Sequence, residues 1–245
     1  MRLFFISCIL CCISSGVIAK DSAPNKQEKL ITKLLNQQLR QNISIQHSVS
    51  ALLKRYPEKV DAVVKSAIHS HPNKYKQIML GAIRAEPALV CDVVEIVLQA
   101  NIAPNERVVE IAVRAEPAYA KEIVKIAAHH NPDEIANIVR IAIITEPFVA
   151  DSIMDDSMLS YPEKMIDILT AAINAIPDQV SNLVTGTLAL FPDNADQVVT
   201  TAVNQSAAHH SSDIINAAVE SGISEDSAIA AAIEGGADKT LFAKK

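Results

Sequence analysis

The chain has 245 residues, of which 49% are hydrophobic, 4% aromatic and 20% charged, with six Gly and no Trp. This composition excludes a disordered chain, a collagen-like fibre and a disulfide-dense miniprotein, and it indicates a helical protein with an aliphatic, Ala-rich core. The formal net charge of −6 gives the molecule no global basic field. We therefore expect no nucleic-acid partner.

The first nineteen residues have the pattern of an export signal. Arg2 supplies a positive start, residues 3–13 form an apolar run, and Val17-Ile18-Ala19 is a small-residue cleavage site. The apolar run is shorter than the roughly 20 residues of a transmembrane helix, so cleavage is favoured over an uncleaved anchor. The mature chain would carry one cysteine, Cys91, and could form no internal disulfide.

Cleavage after Ala19 is directly testable. We expect the exported protein to begin at Lys20, because no other small-residue site follows the apolar run. Intact-mass spectrometry of the protein recovered from the native host measures this. A mature protein that retains Met1, or that begins elsewhere, would contradict the prediction.

Proline recurs along the chain with a period of fifteen residues. The spacing between successive members is fifteen or thirty residues, and the single missing slot, Ile102, has its proline displaced to Pro104. Such a period is the mark of a tandem repeat. The prolines in register are Pro57, Pro72, Pro87, Pro117, Pro132, Pro147, Pro162, Pro177 and Pro192.

The apolar residues follow the same period. When each Pro slot is counted as zero, offsets 6 and 7 are aliphatic or Met in all ten units, offset 11 is apolar throughout, and offset 3 mostly so. Offsets 3, 6, 7, 10 and 11 form one face of an α-helix. Offset 10 is Ala in seven units, which allows close helix packing.

Each unit is thus predicted to be a helix of about eleven residues and a turn of about four. A helix this short is unstable alone and must pack on its neighbours. We predict an all-α, right-handed α-solenoid of about thirteen 15-residue units paired as antiparallel hairpins. The predicted segments are a signal peptide at 1–19, a linker and N-terminal capping helix at 20–41, the solenoid at 42–236 and a frayed basic tail at 237–245.

A longer signature of thirty residues is also present. Residues 84–88, Arg-Ala-Glu-Pro-Ala, recur at 114–118, and the last unit ends in Gly-Gly-Ala-Asp at 235–238. With these features the chain resembles HEAT-like α-solenoids, and in particular the Ala-rich proteins with a Pro-started fifteen-residue repeat that Gram-negative bacteria export. That resemblance implies a binding scaffold and not a catalyst.

Isoleucine occupies offset 9 in four adjacent units, at Ile96, Ile111, Ile126 and Ile141, and Asp156 then ends the run. One interpretation is that the central units are more deeply buried. The other is that the four side chains form an exposed apolar patch that binds a partner. Both interpretations remain open from the sequence.

A second candidate feature is a charged column at one edge of the solenoid. It consists of Arg84, Glu86, Arg114, Glu116 and Glu146, which recur at the thirty-residue period. Local ion pairs and helix-end contacts are sufficient to explain such a column. An edge that contacts a partner is the alternative.

The histidine pairs and one acidic cluster are the candidate metal sites of the sequence. The pairs fall at separate turns, and the first two pairs are about 20 Å apart if each layer adds 8–10 Å, so we expect no metal site. The residues around Asp151, Asp155 and Asp156 do not supply the further oxygen ligands of a calcium loop. We expect these three carboxylates to lie on a solvent-exposed face. The pairs are His69 and His71, His129 and His130, and His209 and His210.

No nucleotide-binding, nucleophile-elbow, metalloprotease or CxxC motif is present in the predicted mature sequence. We therefore expect a protein that is not an enzyme and needs no cofactor. The predicted function is an exported scaffold that binds a protein partner in the periplasm or at the cell surface. The alternatives are a secreted effector or adhesin that engages a host or matrix protein and, more remotely, a hydrolase.

Overall fold

The computed structural model describes residues 26–242, which form fourteen α-helices and no strand. The helices are α1 Lys26–Arg40, α2 Ile45–Arg55, α3 Val60–Ser70, α4 Tyr75–Ala85, α5 Val90–Gln99, α6 Asn105–Ala115, α7 Ala120–His130, α8 Ile135–Thr145, α9 Ala150–Ser160, α10 Met165–Ala175, α11 Val180–Leu190, α12 Ala195–Gln205, α13 Ser211–Glu220 and α14 Glu225–Glu234. The predicted signal peptide and the last three residues lie outside the described range.

The proline turns explain the period of fifteen. Each proline in register opens a three-residue 3-10 turn that leads into the next helix. The residue before the proline closes the previous helix: the N–H of Glu86 donates to the Ala82 carbonyl at 3.3 Å, and the Glu86 carbonyl accepts from the Leu89 N–H at 3.0 Å. Proline has no N–H to leave unpaired at this point, so it fits the first position of the turn.

Three other turns use a left-handed residue in place of the proline turn. They follow α1, α5 and α13, where φ is 62° at Asn42, 49° at Asn101 and 97° at Gly222. Asn and Gly are the residues that tolerate this conformation best. The displaced Pro104 therefore stands directly before α6, in the N-cap position, and not at the start of a 3-10 turn.

The helices form two layers, with the odd-numbered helices in one and the even-numbered helices in the other. Within a layer, contacts join residues about thirty positions apart. Asn105 at the start of α6 donates to Glu134 just before α8 at 2.9 Å, and Thr187 of α11 lies 3.9 Å from the Met158 sulfur of α9. Helices within a layer therefore run parallel, and consecutive helices run antiparallel. The predicted all-α solenoid is confirmed.

The core follows the predicted helix phase. Offsets 6, 7, 10 and 11 are buried in all ten units that begin between residues 57 and 192. Thr187 is a polar residue at offset 10. It donates to the Leu183 carbonyl at 2.7 Å, so its hydroxyl is hydrogen bonded within the core. Between residues 26 and 242, no helix has the length and apolar character needed to cross a membrane.

Candidate functional site

The four isoleucines at offset 9 are divided between the two layers. Ile96 and Ile126 lie on α5 and α7, whereas Ile111 and Ile141 lie on α6 and α8. Ile96 and Ile111 are buried, at 7% and 8% exposure, and Ile126 and Ile141 are half-buried. Because consecutive helices alternate between layers, the four side chains do not form one continuous stripe. They form two pairs, one in each layer.

Asp156, the residue at which the isoleucine run ends, is on α9 and lies near α7, the neighbour of α9 in the odd layer. Its carboxylate is half-buried and its Oδ1 is 3.9 Å from the Lys121 Nζ of α7. The neighbouring Asp155 has a pKa raised by burial and, to a smaller degree, by the charge of Asp151. Within the described residues, no three His, Cys, Asp or Glu side chains come together in a way that could hold a metal ion.

A concave groove in the odd layer contains Ile126. It has a volume of about 560 Å³ and is formed by the C-terminal halves of α5 and α7 with the end of α9. Its apolar lining is Leu98, Ile126 and Tyr161. Its polar lining is Glu95, Gln99, Lys125, His129, His130 and Ser160. We call this feature the α5–α7–α9 groove.

The repeat positions the polar side of this groove. Glu95 and Lys125 both occupy offset 8, and Gln99 and His129 both occupy offset 12, which are exposed offsets on α5 and α7. Equivalent offsets on parallel helices of one layer lie side by side, so the two helices contribute matched pairs of polar groups. Gln99 Nε2 donates to Glu95 Oε1 at 3.1 Å, which aligns the two polar groups of α5.

Ile111 contributes to a smaller cavity in the even layer. That cavity has a volume of about 160 Å³ and lies between α4 and α6. Glu110 there accepts from both Arg107, at 2.5 Å, and Arg114, at 3.1 Å. Glu110 and the two arginines of this cavity are thus engaged with one another, and the cavity volume is below that of ordinary ligand sites.

The charged column lies along one edge, as its period predicts. Arg84 and Arg114 are in the last turns of α4 and α6, and Glu86, Glu116 and Glu146 follow α4, α6 and α8. The ion pair of Arg114 is with Glu110 of its own helix and not with Glu116. The main-chain N–H groups of the three glutamates close the preceding helices, as do those of the other residues before the turn prolines, so this role does not depend on the carboxylates.

The histidine pairs remain distributed. His129 and His130 line the α5–α7–α9 groove, whereas His69 and His71 belong to α3 and its following turn at the same edge. His209 and His210 contact each other, with ring centroids 4.0 Å apart, at the turn between α12 and α13 on the opposite edge. His129 and His130 are thus the pair that lines the groove.

Sequence reasoning did not single out Phe148, which is 98% exposed in the turn between α8 and α9. Its neighbour Ile144 is 49% exposed at the end of α8. The signal was present, because the second residue of every other proline turn is Ala or polar. Phe148 is thus an apolar exception on the edge that carries the glutamate column.

Cys91 is a free, half-buried cysteine of α5. Burial raises the pKa of its thiol, and the charges of Glu122 and Asp92 raise it further. The thiolate is the nucleophilic form of cysteine, so these surroundings disfavour reactivity.

The chain was compared with protein-family models, with curated proteins and with solved structures, and no match was found in any of the three. A functional assignment therefore depends on the groove and on the residues described above.

Proposed function

We propose that this protein is an exported repeat scaffold that binds a protein partner, and that the partner contributes a peptide segment to the α5–α7–α9 groove. The observation that supports this is the groove itself: a cavity of about 560 Å³ with Leu98, Ile126 and Tyr161 on its apolar side and polar groups around them. An apolar centre with a polar rim is the usual anatomy of a protein interface.

The chemistry of the rim defines the segment. Glu95 and Lys125 provide one charge of each sign, and Gln99 and Ser160 provide neutral hydrogen-bonding groups. A peptide with one or two apolar side chains can insert them between α5 and α7, while its main chain hydrogen bonds to the rim. The groove is built on parallel helices of a rigid array, so it is formed before the partner binds.

The compartment in this proposal is the periplasm or the cell surface of a Gram-negative bacterium. It is supported by the leader pattern at residues 1–19 and by the resemblance of the Pro-started repeat to exported bacterial proteins. Cell fractionation tests it: recovery from the periplasm or envelope agrees with the proposal. Recovery only from the culture medium would favour the secreted effector or adhesin.

Site-specific photocrosslinking in the native host tests the groove. A photoreactive residue at Gln99, on the rim, is expected to capture one discrete partner. The matched control is Ala189, an exposed residue at the same offset 12 on α11, outside the groove. Equal capture at both positions, or no capture at position 99, would contradict the proposal.

Replacement of Ile126 separates binding from stability. Ile126→Ala and Ile141→Ala each remove three carbons from a half-buried side chain at offset 9, one inside the groove and one in the other layer. Each variant is expected to lose about 1–2 kcal/mol of stability, less than at fully buried sites. Only Ile126→Ala should abolish crosslinking from position 99. Loss of crosslinking in both variants would show that the groove is not the binding site.

A further inference from the structure

The charge of the chain is strongly polarised along the solenoid. Residues 26–85, which contain α1 to α4, carry eleven Lys and Arg against three Asp and Glu, a net charge of +8. Residues 165–238, which contain α10 to α14, carry ten Asp and Glu and no Lys or Arg. The three lysines that follow still leave this end at −7. The overall charge of −6 conceals this separation.

The basic end presents apolar side chains to solvent. On α1, Leu30 is 58% exposed and Leu34 is 37% exposed, and each directly precedes a buried residue, Ile31 or Leu35. The exposed lysines Lys26, Lys29 and Lys33 lie around them, and α2 adds Lys54 and Arg55, which are also exposed. This surface, which we call the basic end, is apolar at its centre and positive at its rim.

The acidic end has the complementary character. Val219 of α13 is 40% exposed, although the corresponding offset 11 is buried in all ten proline-period units, and Ile229 and Ile233 of α14 are half-buried. Glu220, Glu225, Asp226 and Glu234 are all exposed around them. We call this surface, formed by α13 and α14, the acidic end.

The repeat explains why both surfaces are open. Every internal helix packs between two parallel neighbours of its own layer, thirty residues before and after it. Within the described residues, α1 and α2 have such a neighbour only on the C-terminal side, and α13 and α14 only on the N-terminal side. Terminal repeats of solenoids normally have a polar outer face. At these two ends the charged outer face also carries the exposed apolar residues Leu30, Leu34 and Val219.

We propose that copies of this chain associate head to tail, with the basic end of one copy on the acidic end of the next. In this arrangement α1 and α2 of one copy continue the odd and even layers of the other, so that Leu30 and Leu34 cover the apolar residues of α13 and α14. The two surfaces are different patches of the same chain, so the contact is heterologous and can propagate into rings or filaments. Opposite rim charges orient the two ends during association.

A second copy fits these observations better than an anionic membrane does. A membrane would account for the basic end alone, and it would leave the apolar acidic end unexplained. The exposed large apolar residues of α1 and of the end of α2 are also few, namely Leu30, Leu34 and Tyr56, whereas interfacial helices usually carry a wider apolar face. Head-to-tail association accounts for both ends with one contact. This inference does not depend on the α5–α7–α9 groove.

Sedimentation velocity of the chain that begins at Lys20 tests the association. At low ionic strength the weight-average mass should rise with protein concentration to at least twice the monomer mass. It should return to that of the monomer at about 0.5 M salt, where the Debye length falls to roughly 4 Å. A chain that stays monomeric at low salt up to millimolar concentration overturns the proposal.

Charge exchange gives the decisive comparison. Lys29→Glu with Lys33→Glu lowers the summed charge of the five exposed cations of the basic end from +5 to +1, and Glu220→Lys with Glu234→Lys changes that of the four exposed acids of the acidic end from −4 to 0. Each double variant alone should therefore associate much more weakly than the native chain. An equimolar mixture should regain association, because the unaltered acidic end of one variant then meets the unaltered basic end of the other. Lys29→Glu places an acid near the start of α1, and Glu220→Lys and Glu234→Lys place lysines at the ends of α13 and α14, where the helix dipole favours them. Lys33 is exposed in the middle of α1, so both variants should fold.

Lys121→Glu, an exposed charge reversal on α7 outside the groove lining, is the matched control and should associate as the native chain does. Circular dichroism confirms that each variant is folded. A mixture that associates no more than either variant alone, or double variants that associate as strongly as the native chain, would contradict the proposal. Vesicles that contain phosphatidylglycerol form a separate arm: binding of a monomer to them, without self-association, would overturn it in favour of a membrane contact.

Discussion

Ala127→Phe is expected to lower the free energy of unfolding by about 3 kcal/mol, whereas Lys125→Phe should change it by less than about 0.5 kcal/mol. Ala127 is fully buried at offset 10 of α7, the small position at which helices of the two layers meet. A phenyl ring there must displace packed side chains of neighbouring helices. Lys125 lies two residues earlier on the exposed side of the same helix, so a ring at that position meets solvent.

Thermal and urea denaturation of both variants measure this difference. The comparison is controlled because the same residue is introduced into one helix at positions two apart, which leaves helix propensity nearly equal. Equal losses of stability would show that the assigned face of α7 is wrong. A loss confined to Lys125→Phe would show that the face is inverted.

The helices and their buried faces were predictable because both depend on local signals. Proline fixes the start of each turn, and the apolar offsets repeat at helical spacing within a single unit. A short helix with one apolar stripe has only one way to bury it, which is against its neighbours. Residues such as Val63 and Ala67, at offsets 6 and 10, were therefore assigned to the core correctly.

The candidate site was less predictable because its neighbours are thirty residues apart and not fifteen. Ile111 and Ile126 are consecutive members of the sequence period, yet they lie in different layers. The groove forms between α5 and α7, and no local pattern marks the pairing of Gln99 with His129. Units that are adjacent in the sequence period do not lie side by side within one layer, because consecutive helices alternate between the two layers.

The non-proline turns show a third kind of limit. The displaced Pro104 was visible in the sequence, but its consequence depends on Asn101, which adopts the left-handed conformation that ends α5. The turns after α1 and α13 use Asn42 and Gly222 in the same way. All three turns share one sequence pattern, Asn or Gly followed by Ile. The pattern becomes evident only when the three turns are compared in the structure.

Gly81→Ala and Gly186→Ala are expected to change stability in opposite directions. Both glycines occupy offset 9 inside an eleven-residue helix, α4 or α11, so Ala gains the same intrinsic helix propensity of about 0.5–1 kcal/mol at each. A Cβ at Gly186 would meet no atom within 4 Å, and the gain should appear in full. A Cβ at Gly81 would lie 2.5 Å from the Gln46 carbonyl oxygen of α2, which is a main-chain atom that cannot turn away.

Gly81→Ala must therefore push α2 away from α4, and overpacking of this kind costs about 1–3 kcal/mol, more than the propensity gain. Urea denaturation of the two variants against the native chain gives both signs in one experiment. Stabilisation by Gly81→Ala would mean that α2 and α4 are not in this close contact. Destabilisation by Gly186→Ala would mean that a neighbouring helix packs closely against the side of α11 that carries Gly186. Opposite changes in stability at the same offset would show that the space at each glycine is set by the neighbouring helix of its layer, and not by its position in the repeat.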